Sequence, residues 1–113
     1  MNLPIDYSKV DAFVQQNELF EQAKKRLIEV LRNLNDESPE SFREYFYSDL
    51  KGVLKTYKFD NYTVSFSTSY SCKPELNYIS IYIDIYDKQE SYVAYYQVFF
   101  NKDLEIIDDK LNK

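Results

Sequence analysis

Histidine is absent from this chain, and glycine and cysteine occur once each among its 113 residues. Each shortage removes a class of chemistry. Without histidine there is no Ser-His-Asp or Cys-His arrangement, no general base whose ordinary pKa lies near neutrality, and none of the commonest zinc ligand. A single glycine, Gly52, excludes a glycine-rich phosphate loop or a dinucleotide-binding turn, whose backbones need several positions free of a Cβ. Cys72 on its own can form neither an internal disulfide nor a cysteine zinc cluster. Beside Lys73 but without a paired base, it reads as an inert thiol. No apolar run approaches the roughly 20 residues that span a bilayer. The polar start, with Pro4 and Asp6, does not resemble a secretory signal, so a reducing cytoplasm is the expected location.

Positive charge is also short. Fourteen basic residues against nineteen acidic ones leave a net charge of −5. Such a surface repels phosphate backbones, so direct nucleic-acid binding is not expected, nor is binding to a membrane. A basic protein, including one whose own basic surface serves nucleic acid, is the partner class this charge favours.

What the chain does have is apolar and aromatic mass: 44% hydrophobic residues, 18% aromatic, and twelve tyrosines. That suffices for one domain, residues 1–113, with a core built without disulfides or metal. A helical half over about 6–57 precedes a sheet half over about 58–108 and a short charged tail. Val10, Phe13 and Val14 share one face of a first helix that Asp6 or Ser8 could cap. Leu19, Phe20, Ala23, Leu27, Val30, Leu31 and Leu34 recur at helical spacing, either continuing that helix or forming a second one capped by Asn17. Ser38 before Pro39 is an N-cap with proline in the first turn, opening a third helix that carries Phe42, Tyr45, Phe46, Leu50, Val53 and Leu54.

Beyond Tyr57 the period falls to two. Tyr62, Val64 and Phe66 alternate with Thr63, Ser65 and Ser67. Ile79, Ile81, Ile83 and Ile85 alternate without a break with Tyr78, Ser80, Tyr82, Asp84 and Tyr86. Successive strand side chains point to opposite faces, so one face is an isoleucine stripe and the other a tyrosine stripe. Tyr92–Phe100 is apolar at both parities, which suits a central strand, and Leu104–Ile107 reads as a short last one. Short polar connections favour antiparallel neighbours. The expected fold is therefore α+β, two to three helices packed on one face of a four-stranded antiparallel meander, with the isoleucines against Leu27, Leu31, Phe42 and Phe46. This layout resembles the cystatin-like and NTF2-like arrangements, in which helices precede a curved antiparallel sheet.

The tyrosine stripe is the candidate working surface. Tyrosine supplies a large rigid ring and a polar tip at small entropic cost, as recognition surfaces require. Tyr78, Tyr82, Tyr86 and Tyr95 are the expected anchors, Asp84 and Asp87 the charged discriminators, and Ser65, Ser67 and Gln97 the adaptable hydrogen-bonding groups. In size and composition the chain resembles small bacterial and phage inhibitors, namely toxin-immunity proteins and anti-defence proteins such as anti-CRISPRs. That resemblance implies a non-enzymatic module that occludes a protein partner, with no cofactor and no metal. Two alternatives stand beside it. The tyrosine face could pair with itself in a structural homodimer. Otherwise the fold could enclose a small-ligand pocket, or Asp84 with Asp108, Asp109 and Lys110 could form a carboxylate metal site of the kind nucleases use.

Overall fold

The computed structural model describes residues 4–71 and 76–113. Four helices, α1 (Tyr7–Gln16), α2 (Leu19–Glu37), α3 (Pro39–Phe46) and α4 (Leu50–Thr56), precede four strands, β1 (Lys58–Ser69), β2 (Leu76–Tyr86), β3 (Tyr92–Phe100) and β4 (Ile106–Asn112). The strands form one antiparallel meander in the order β1-β2-β3-β4. This is the α+β architecture expected from the sequence. Cys72 lies outside the described residues, so its surroundings are not assigned.

The helices begin where side chains satisfy otherwise unpaired amides. The carboxylate of Asp6 accepts from the amides of Ser8 and Lys9, Ser38 accepts from Ser41, and Asp49 accepts from Gly52. Asn17 does not cap α2. Its side-chain amide instead donates to the Phe13 carbonyl at 2.9 Å and closes α1, while Glu18 turns into the left-handed region at φ 50° and separates the two helices. The expected third helix is likewise two. Tyr47, at φ 59°, ends α3, and Asp49 caps α4. Gly52 sits in that corner, where an added Cβ would collide with Ser48 Oγ and reach 3.0 Å from the capping Asp49 Oδ1.

The core lies between the helices and the isoleucine face. Ile79, Ile81, Ile83 and Ile85 are buried with Leu27, Leu31, Phe42 and Phe46, the expected partners. Burial contributes about 1.5–3 kcal/mol per isoleucine before entropy, and a one-residue slip would expose all four, so this stripe sets the register. Tyr62 joins the same side through ring contact with Phe20, centroids 5.0 Å apart.

Two boundaries differ from the sequence reading. Leu104 does not start the last strand but lies in the turn before it, at φ 63°. The charged segment expected as a tail is β4 itself, because its backbone pairs with Tyr95–Phe100 whatever the solubility of its side chains. The β2–β3 and β3–β4 turns use one device. Asp87 accepts from the amides of Gln89 and Ser91, each at 2.9 Å, and Asn101 accepts from Asp103 and Glu105 at 2.9 and 3.0 Å. A left-handed residue, Glu90 or Leu104, completes each turn.

Candidate functional site

The outer face of the sheet is built from the parity opposite the isoleucines. Across β2 and β3 the opposed pairs are Ser80 with Phe99, Tyr82 with Gln97, and Asp84 with Tyr95. A bulge at Val93 shifts the register by one, so Tyr92 also turns to this face, opposite Tyr86. Three ring pairs then run along the strands: Tyr78 with Phe99 at 5.8 Å, Tyr82 with Tyr95 at 5.8 Å, and Tyr86 with Tyr92 at 6.2 Å. On β1, Ser67, Ser65 and Thr63 stand opposite Tyr78, Ser80 and Tyr82. Lys110 of β4 places its ammonium 5.9 Å from the centroid of Tyr95.

The helices pack against the other side. Tyr78, Tyr82, Tyr86 and Tyr95 are half-buried, as are Asp84, Ser65 and Ser67, and each retains solvent access. Partial burial raises the Tyr92 phenol pKa, and the Asp84 carboxylate adds to the shift. Two of the expected contact groups sit elsewhere. Gln97 is only 5% exposed and its Oε1 has no hydrogen-bond partner, so with Ser80 it is floor beneath the rings and no adaptable surface group. Asp87 holds the β2–β3 turn with its carboxylate and lies at the end of the face.

Three contributors escaped the sequence reading. Tyr92 needed the bulge, Phe99 was one apolar residue among many, and Asp60 needed the β1 register, which sets it directly opposite Asp84. This acidic rung concentrates negative charge at one point of the face. It lies beside Tyr86, whose hydroxyl approaches Asp84 Oδ2 at 3.5 Å. Lys58 at the same end binds Glu90 at 3.1 Å.

The carboxylates of the proposed metal arrangement do not converge. Asp84 is opposite Tyr95 and Asp108 is opposite Phe99, further along β3 and across it, while Asp109 turns to the core side. There Asp109 Oδ2 accepts from the Tyr96 hydroxyl at 2.7 Å and meets Arg26 Nε at 3.4 Å. Among the described residues no group of three His, Cys, Asp or Glu side chains is placed to hold a metal ion. A cavity of about 540 Å³ opens between α2, α3 and β4 with mainly apolar walls that include Leu34, Phe42 and Leu111. Among the described residues no helix is long and apolar enough to cross a membrane.

No family model, curated protein or solved structure matches this chain.

Proposed function

We propose that the outer sheet face is a docking surface for a protein and that the chain acts by occupying that partner, without catalysis. The observation carrying this reading is the set of three partly open ring pairs on a helix-free face, set around the Asp60–Asp84 rung. Rings already held by their neighbours lose little freedom on binding, so their remaining area is available as affinity. The two carboxylates beside Tyr82 and Tyr86 suit a lysine or arginine side chain, which would make charge-assisted contacts with them and lie against the rings. A basic protein partner fits this chemistry as it fits the net charge of −5.

Within that class, the reading we favour is an inhibitor of bacterial or phage origin, an immunity or anti-defence protein of the anti-CRISPR kind, working in a reducing cytoplasm. Acidity and the absence of histidine support it. The test is quantitative capture of a stoichiometric partner by wild type and by Tyr82→Ala. The substitution is expected to weaken capture at least about tenfold with the fold retained. Unfolding of Tyr82→Ala would make the ring a core element and remove the proposal.

A further inference from the structure

The two edges of the sheet are protected unequally. β4 carries Asp108, Asp109 and Lys110 in succession, and charged edge residues discourage strand addition. β1, the other edge, has no charge, proline or glycine from Thr63 to Ser69, and among the described residues no strand lies on its far side. Apolar side chains are exposed beside this edge: Phe66 of β1 at 49% and Leu76, opposite Ser69 on β2, at 39%. The radius of gyration is 16.0 Å, against about 13 Å for a compact chain of this length, in keeping with a sheet that projects past its helices.

We propose that a second copy of the chain occupies this edge, with Thr63–Ser69 pairing antiparallel to itself about a two-fold axis at Phe66. That register sets Thr63 opposite Ser69, Val64 opposite Thr68, and Ser65 opposite Ser67. Every pair joins residues of one face, so the sheet continues across the joint with both sets of helices on the same side. No like charges meet. The same operation on β4, centred on Asp109, would set that carboxylate opposite itself. On the core side, Phe66 contacts Phe13 of α1 at 6.1 Å, so the axis gathers these two rings and their mates into one cluster that covers the exposed phenylalanine. Backbone pairing supplies the direction and the rings supply the apolar burial. The tyrosine faces remain open, side by side on one doubled sheet, so this dimer differs from one that pairs through those faces.

Sedimentation equilibrium of the full chain between about 1 and 100 μM tests this, a range that spans dissociation constants of weak dimers. Wild type is expected to approach twice its 13.6 kDa mass. Phe66→Lys and Phe66→Glu should each be monomeric, because each sets a charge against its own copy, and an equimolar mixture of the two should regain the dimer. Thr68→Lys, which leaves the Phe13 contact in place, should also be monomeric, and Tyr82→Ala should remain dimeric. A monomeric wild type at the highest concentration overturns the proposal. So does a dimer that survives Phe66→Lys and Thr68→Lys, or one lost in Tyr82→Ala, since that dimer would use another surface.

Discussion

Tyr96 donates its hydroxyl proton to Asp109 across β3 and β4 at 2.7 Å. Burial first, and then this bond to a carboxylate, push the Tyr96 phenol pKa well above its ordinary value of 10.0. The folded state therefore keeps a proton that the unfolded chain releases above about pH 10, and stability falls as pH rises through that range. Burial also raises Tyr45, Tyr57 and Tyr62, which add to the same slope. Urea unfolding of wild type should show stability level near neutrality and declining above about pH 10, with a shallower decline in Tyr96→Phe. Parallel curves for the two proteins would contradict the assignment.

Ile83 and Tyr82 are adjacent in sequence and belong to opposite faces, so their truncations should diverge. Ile83 is fully buried, and Ile83→Ala should cost about 2–5 kcal/mol through lost burial and a residual cavity. Tyr82 stays half-exposed and its Tyr95 contact is a single cross-strand pair, so Tyr82→Ala should cost only about 1 kcal/mol. Denaturant midpoints at constant slope decide between them.

The matched turns make a third expectation. Asp87→Ala and Asn101→Ala each leave two turn amides without their acceptor, and each should lose about 1–2 kcal/mol. Asp87→Asn keeps an acceptor oxygen and should lose less. Equal losses in Asp87→Ala and Asp87→Asn would show that charge, and not the acceptor, holds the turn.

Glu18 occupies left-handed backbone at φ 50° with an exposed side chain that makes no capping bond. Glycine adopts that conformation freely, so Glu18→Gly should stabilise the protein by about 0.5–1 kcal/mol despite the greater freedom it adds to the unfolded chain. A fall in the thermal midpoint would mean that the Glu18 side chain contributes something its exposure does not suggest.

Much of this fold was legible because local pattern and tertiary environment agree. The isoleucine alternation from Ile79 to Ile85 admits one orientation, and the helical stripe through Leu27 and Leu31 has nowhere else to bury. Legibility failed where conformation departs from residue preference. Glu18, Tyr47, Glu90 and Leu104 are all left-handed without being glycine, so neither the break before α2 nor the one between α3 and α4 had the usual marker, and Leu104 read as strand although it closes the turn after Asn101. Strand β4 was obscured for another reason: Asp108, Asp109 and Lys110 carry no apolar alternation, and their pairing comes from backbone bonds to β3.

The sequence by itself determined the order of helices before strands, the buried isoleucine stripe, and the exclusion of histidine, glycine-loop and paired-cysteine chemistry, because each depends only on residue type and short-range period. Tertiary structure alone decided which side chains share the outer face. Asp60 meets Asp84 through strand register, Tyr92 reaches the ring row through a bulge, and Gln97 sinks beneath its neighbours through cross-strand packing. Register and burial are set by contacts between segments distant along the chain, and no local pattern encodes them.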